Sequence, residues 1–120
     1  AHGLGPLSLD AAIAEAARRH AEEMAEYAYL AHVNRQGQQP WDRMRAAGVS
    51  FGWAAENLGK AWTGDGSSLP AIEAMHEMMM AETPPDDGHR LNILNPKARR
   101  VGIAVARRDG WLYWVCDFAD

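Results

Sequence analysis

Three side chains that could do chemistry stand in three separate segments of the chain: His32, Glu56 and His89. Imidazole nitrogens and a carboxylate are common ligands of zinc and similar divalent ions, and an open fourth position could hold water. A general acid–base pair of Glu56 with His89 is the alternative chemistry. Each residue lies beside a predicted element boundary, so we expect one site assembled from distant segments.

The segment around His89 is unusual for a regular helix. Residues 88–96 read GHRLNILNP, and Gly and Asn cost helix stability without adding packing. For Asn57, Asn92 and Asn95 we expect backbone capping. A purely structural network is the competing interpretation, with Glu56 accepting hydrogen bonds that fix the loops.

Other signatures of hydrolases are incomplete. His76-Glu77 begins the metalloprotease pattern His-Glu-x-x-His, but Met80 occupies the place of the second histidine. The chain also lacks a Gly-x-Ser-x-Gly elbow, so no nucleophile is recognisable.

Helical periodicity predicts the elements that must position the first histidine. Apolar residues recur at helical spacing over residues 8–29, with Ser8 or Asp10 as the cap. His20 lies near this apolar stripe and is expected to be a structural histidine. A short helix is predicted over residues 40–48, with Pro40 in its first turn.

The second half begins with a helix and ends in strands. Residues 69–82 fit a helix, and the prolines and aspartates that follow break it. A hairpin is predicted over residues 101–118, with Asp109-Gly110 as its turn. Its second strand is apolar on both faces, so both faces should be covered, and Cys116 within it should be a small buried side chain.

Length and composition predict one ordinary globular domain spanning residues 1–120. The chain has 120 residues, 48% of them hydrophobic and 23% charged. A net charge of −4 argues against nucleic acid as a partner, and the single cysteine excludes an internal disulfide. No apolar run is long enough for a transmembrane segment. The chain opens with Ala1 rather than Met, so we expect that a leader has been removed.

In this order and spacing, these pieces resemble one known family. The helix ending in Leu30-Ala31-His32, the segment Ala55-Glu56-Asn57-Leu58-Gly59, residues 88–96 and the closing hairpin are together similar to the CAP superfamily. That superfamily comprises cysteine-rich secretory proteins, antigen 5 and pathogenesis-related 1 proteins. The resemblance covers nearly the whole chain and is strongest to the short bacterial SCP-like domains.

The resemblance implies both a fold and a site. The fold is an α+β, three-layer α-β-α sandwich with a small central antiparallel sheet. The family's cleft is lined by two histidines and two acids. His32 and His89 match the histidines, and Glu56 matches the first acid. Glu77 is the nearest match to the second acid, with Glu73 and Glu82 as alternatives, because the tryptophan that usually precedes it is absent.

The predicted function is a non-enzymatic, exported binding domain whose cleft can hold zinc, another divalent cation or a small ligand. His32 and His89 are the predicted metal ligands, and the wider surface would bind a protein, lipid or cell-wall component. A peptidase- or esterase-like hydrolase using Glu56 with His32 or His89 is the first alternative, and an inert scaffold is the second. The family implies an extracellular or cell-surface location, and we expect a monomer.

Overall fold

The computed structural model describes residues 7–63, 80 and 92–120. The predicted helix over residues 69–82 therefore lies outside the described residues. In the part that is described, no helix is long and apolar enough to cross a membrane. The elements are β1 (Ser8–Leu9), α1 (Ala11–Tyr27), α2 (Pro40–Ala46), β2 (Ala54–Trp62), β3 (Arg100–Arg108) and β4 (Trp111–Ala119).

Helix α1 begins later than its apolar pattern predicts. Asp10 is the cap, because its Oδ1 accepts hydrogen bonds from the backbone N–H groups of Ala12 at 2.9 Å and Ile13 at 3.0 Å. The prediction that the helix extends back to Ser8 is wrong, since Ser8 and Leu9 form a short strand that pairs with β3. Leu9 fits the helical spacing, yet it is 83% exposed.

The sheet has the order β1-β3-β4-β2. Strands β3 and β4 form the predicted hairpin, and its turn residues Asp109 and Gly110 both have positive φ. β2 runs antiparallel to β4 along its whole length, from Ala54 opposite Ala119 to Trp62 opposite Trp111. This strand was not predicted, and the two-residue β1 adds a parallel edge to an otherwise antiparallel sheet.

The core forms where α1 lies against β3 and β4. Small side chains of α1 meet the sheet, and the closest approach is at Gly102 of β3, which lies against the backbone of Ile13 and Ala14. Most of β4 is buried, as its apolar sequence predicts. One cluster of buried side chains joins α1 to β4: Ala17, Ala21, Met24, Ala25, Tyr113 and Val115.

Helix α2 closes one end of this core. It begins at Pro40 and is followed by Gly48 with a φ of +89°, as the sequence predicts. Its inward side carries Met44, which is fully buried, and Arg43, which is 7% exposed. An arginine is therefore placed between α2, α1 and the sheet.

Candidate functional site

Glu56 is the third residue of β2 and lies directly opposite Asp117 of β4. Residues opposite each other in an antiparallel pair point to the same face of the sheet, so the two carboxyl groups are neighbours. Glu56 is 6% exposed and Asp117 is fully buried. This part of the site is therefore built on the sheet itself, two residues after the start of β2.

His32 reaches Glu56 from the loop that follows α1. Its Nδ1 lies 2.9 Å from Glu56 Oε1. A carboxylate can only accept, so His32 donates its Nδ1–H, and in the neutral form of the ring the lone pair is on Nε2. The His32 side chain is 53% exposed, whereas that of Glu56 is 1% exposed. A buried carboxylate thus orients a histidine whose ring reaches solvent.

Arg43 holds the same carboxylate from the side of α2. Its Nη2 donates to Glu56 Oε2 at 2.5 Å, and its Nη1 donates to the backbone carbonyl oxygen of His32 at 2.5 Å. Arg43 therefore holds together His32 and Glu56, the two residues of the predicted site that the structure describes. Each oxygen of Glu56 accepts a hydrogen bond, one from His32 and one from Arg43, so this carboxylate positions His32.

The pKa values of the two carboxyl groups are shifted in opposite directions. Burial by itself would raise the pKa of Glu56, but the hydrogen bond from His32, the adjoining Asp117 carboxyl group and the charge of Arg43 outweigh it and lower that pKa. Burial, together with the neighbouring Glu56 carboxylate, raises the pKa of Asp117 well above its ordinary value. Neither oxygen of Asp117 has a well-formed hydrogen bond to the described residues. The close Glu56 charge nevertheless favours a proton on Asp117.

Two asparagines, Asn92 and Asn57, connect the segment that ends at Pro96 to β2. The Nδ2 of Asn92 donates to Asn57 Oδ1 at 2.8 Å and to the backbone carbonyl oxygen of Glu56 at 3.4 Å. Asn95 accepts from the backbone N–H of Lys97 at 2.9 Å, which is the capping role that we predicted. Asn57 and Asn92 instead bond to each other through their side chains, so backbone capping describes them only in part.

Two other sequence predictions concern single buried side chains. His20 is 1% exposed, and its Nε2 lies 2.7 Å from the carbonyl oxygen of Ala31, so it is a structural histidine as expected. Cys116 is partly buried, and burial followed by the charges of Asp117 and Glu56 raises its pKa to about 12. Its thiol is therefore protonated at neutral pH, which agrees with the prediction of a small core side chain.

The remaining predicted residues of the site lie outside the described residues: His89, Glu73, Glu77 and Glu82. Among residues 7–63, 80 and 92–120, no three His, Cys, Asp or Glu side chains form a group that could hold a metal ion. His32 and Glu56 are brought together as predicted. Their pairing with His89 stays a prediction.

Arg43 and Asp117 were not predicted from the sequence as residues of the site, although a sequence feature points to each of them. Arg43 lies three residues after Pro40 and next to Met44, which places it on the inward face of α2. Asp117 is the only charged residue of β4, a strand predicted to be covered on both faces. An ionisable group in such a position needs a partner or a proton, and here it faces Glu56.

This arrangement has relatives among known proteins. The model of the cysteine-rich secretory protein family (CAP) matches residues 1–118. An uncharacterized protein of Bacillus subtilis (strain 168), YkwD, is 33% identical over 101 residues, which is 84% of this chain and 35% of that protein. The chain thus spans about a third of the length of this relative.

Solved structures share the fold over almost the whole chain. An extracellular protein containing a SCP domain from Bacillus anthracis str. Ames matches with a TM-score of 0.75 and 23% identity, over 98% of this chain and 35% of that one. An outer surface protein from Borrelia burgdorferi matches with a TM-score of 0.74 and 19% identity, over 98% and 79%. A structure of NaASP2 with Zn²⁺ matches with a TM-score of 0.71 and 15% identity, over 98% and 62%.

These similarities agree with the α-β-α sandwich that the sequence predicts. The fold rests on the structural matches, and membership rests on the family match along nearly the full length of the chain. The chain belongs to the cysteine-rich secretory protein (CAP) family.

Proposed function

We propose that the chain is a non-enzymatic, exported binding domain that holds a divalent metal ion, zinc in the first place, at His32 and His89. The observation that carries this proposal is the contact between His32 Nδ1 and the buried Glu56 carboxylate. Histidines that bind metals commonly donate their second ring N–H to a carboxylate, which fixes the ring and makes the free nitrogen more basic. The exposed ring of His32 fits that pattern.

Zinc would supply a Lewis acid, or a fixed charge that recruits an anionic group of a partner. The residues of the chain do the positioning. Arg43 holds Glu56, Glu56 orients His32, and the protonated Asp117 keeps a second negative charge away from this carboxylate. The choice of zinc is supported by the relative NaASP2, whose structure is described with Zn²⁺.

Calorimetric titration with zinc tests this proposal. We expect saturable binding heat for the wild type and none for a His32→Ala/His89→Ala double variant. Glu56→Gln should weaken binding by about 10- to 100-fold, because the carboxylate that orients His32 is lost. Glu22→Gln, which alters a carboxylate on the solvent side of α1, is the matched control and should bind like the wild type. Equal and negligible heats for the wild type and the double variant would refute the metal site and favour an inert scaffold.

The hydrolase alternative needs Glu56 as a general base. Both oxygens of Glu56 are engaged by His32 and Arg43, so a substrate or a water molecule would have to displace one of these donors. This alternative predicts turnover of peptide or ester libraries that disappears in Glu56→Gln while the fold is retained. The absence of turnover above the level of that variant would exclude it.

An extracellular or cell-surface location is part of the same proposal. It is supported by structural relatives described as an extracellular protein and an outer surface protein. The partner would then be a protein, lipid or cell-wall component met outside the cell. We further propose that the domain acts as a monomer.

A further inference from the structure

Two exposed tryptophans lie side by side at the end of the sheet where β2 ends and β4 begins. Trp62 is directly opposite Trp111, so the two side chains are on the same face of the sheet. Trp62 is 64% exposed and Trp111 is 38% exposed. Helix α1 covers this face at Tyr113 and Val115, further along β4, but leaves the two indoles in contact with solvent. Adjacent exposed indoles mark a candidate interaction surface.

The two indoles are held in place by each other and by the turn beside them. Their rings meet edge to face, with centroids 5.5 Å apart and an interplanar angle of 71°. Trp62 also lies against Gly110, since a Cβ added there would be 2.6 Å from Cη2 and Cζ3 of the indole. The exposed rings are thus already ordered before any partner arrives, which lowers the entropic cost of binding.

A lysine completes this surface. Lys60 comes two residues before Trp62 in β2, so both side chains point to the same face. Its Nζ is 4.9 Å from the centroid of the Trp111 ring. Among the described residues, no carboxylate lies within ion-pair distance of this ammonium group. Trp62, Trp111 and Lys60 are called the hairpin-end patch below.

The hairpin-end patch is positively charged, although the whole chain carries a net charge of −4. Arg108 at the end of β3 is paired with Asp109, and Glu22 and Glu26 of α1 line a groove with it that does not include Lys60. These carboxylates therefore compensate Arg108 rather than Lys60. Charges are largely screened beyond about 8 Å at physiological ionic strength, so the local cation acts on a partner in contact with the patch.

The combination of indole and lysine fits the surface of a membrane. Indole rings favour the level of the lipid headgroups, and a lysine stem can lie along apolar surface while its ammonium group contacts anionic headgroups. A saccharide site would need several convergent hydrogen-bonding groups. The polar groups of Thr63, next to Trp62, are instead directed to the carbonyl oxygen of Gly110, the N–H at 2.8 Å and the hydroxyl at 3.4 Å.

We propose that the hairpin-end patch attaches the domain to the surface of an anionic phospholipid bilayer, with the two indoles at the level of the headgroups and Lys60 on an anionic headgroup. This inference names lipid as the partner and rests on the extracellular or cell-surface location proposed above. It needs neither zinc nor His32, so the experiment below can fail without affecting the metal site.

Co-sedimentation with large unilamellar vesicles, in EDTA, measures this attachment. We expect partition onto vesicles of equal parts phosphatidylcholine and phosphatidylglycerol, and weaker partition in about 0.5 M salt, where the Debye length falls to about 4 Å. Trp62→Ala should weaken partition about tenfold or more, because the transfer of an exposed indole out of water is lost. Lys60→Gln should weaken it about fivefold, because one cation near the anionic surface is lost.

The chain offers a matched control for each variant. Trp41→Ala removes an indole that is 41% exposed on α2, and Lys97→Gln removes an exposed cation that is not part of the patch. Both controls should partition like the wild type. If Trp62→Ala does not fold, which circular dichroism reveals, the decision falls to Lys60→Gln.

Three results would overturn the proposal: no partition onto the anionic vesicles, equal partition onto pure phosphatidylcholine, or patch variants that partition like their controls. Binding of soluble chitohexaose that Trp62→Ala abolishes, without partition onto vesicles, would overturn it in favour of a polysaccharide partner.

Discussion

Glu56 and Asp117 face each other across two strands, and their pKa values are shifted in opposite directions. The buried Arg43 and the donor from His32 stabilise the carboxylate of Glu56, and that carboxylate in turn keeps the proton on Asp117. In this part of the described structure, the buried cation Arg43 is thus matched by the buried anion Glu56. Ion pairs of this kind add little to stability as a pair, but removing one partner leaves the other charge uncompensated.

Glu56→Gln should therefore destabilise the protein. The guanidinium of Arg43 would stay buried without its counter-charge, which costs about 3 kcal/mol in the free energy of unfolding. Urea denaturation at neutral pH measures this loss. Glu22→Gln, which removes an exposed partner of Arg18, should leave the unfolding midpoint nearly unchanged. Equal midpoints for the two variants would show that Glu56 is not needed to compensate Arg43.

Asp117→Asn should reveal the proton on Asp117 through the dependence of stability on pH. In the unfolded chain Asp117 ionises near its ordinary pKa of 3.8, whereas the folded protein keeps the proton to higher pH. This residue therefore destabilises the wild type progressively as pH rises above 3.8. Asn mimics the protonated acid at every pH, so the stability of the variant relative to the wild type should increase from pH 4 to pH 7.

The matching control is Asp109→Asn in the exposed turn between β3 and β4, where the carboxylate faces solvent and Arg108, so this variant should not gain stability over the wild type as pH rises. Denaturation curves at several pH values measure both variants. A relative stability of Asp117→Asn that falls with rising pH would mean that Asp117 is ionised in the folded state.

At the scale of elements, the approach of α1 to β3 decides the shape of the core. An added Cβ at Gly102 would lie 2.2 Å from the backbone N of Ala14 and 2.3 Å from the carbonyl carbon of Ile13. Backbone atoms cannot rotate away as a side chain does. The helix and the sheet therefore touch at a point that only glycine permits.

Gly102→Ala should force α1 and β3 apart and destabilise the protein by about 1–3 kcal/mol. Thermal unfolding followed by circular dichroism measures the loss. Gly52→Ala is the control, because its added Cβ would meet only the Asp120 side chain, at 3.1 Å, which can move. A melting temperature of Gly102→Ala within error of the control would show that the helix shifts without cost.

The elements also show which sequence patterns are sufficient to predict secondary structure in this chain. Local patterns predicted α1, α2 and the β3–β4 hairpin, because periodicity, Pro40 and Asp109-Gly110 act over short distances. Strand β2 has two adjacent polar residues, Glu56 and Asn57, so apolar and polar residues do not alternate along it. The strand is stabilised by its pairing with β4, which the local sequence does not reveal. For the same reason the partners of Glu56 were missed, since Arg43 and Asp117 come from distant positions.

At the scale of the whole molecule, the described elements share one core. α1 contacts β3, β4 and α2, and α2 contacts β2. The buried Arg43–Glu56 pair connects α2 to the sheet in the same way. We propose on this basis that residues 1–120 form the single domain predicted from length.

A single domain should unfold in one cooperative transition. Circular dichroism would include the signal of α1, and tryptophan fluorescence would include the buried Trp114 of β4. The two denaturation curves should therefore coincide in urea. Separate midpoints for the helical and tryptophan signals would instead indicate that α1 and the sheet unfold independently.

The short strand β1 has a consequence for how the protein behaves at high concentration. Among the described residues, only Ser8 and Leu9 pair with the edge of β3 that faces away from β4, opposite Arg100 and Val101. A sheet edge of this kind can recruit a strand from another molecule and start aggregation. Two arginines lie near each end of β3: Arg99 and Arg100 at its start, and Arg107 and Arg108 at its end. Two such edges would meet with like charges in either orientation, which protects the protein from self-association.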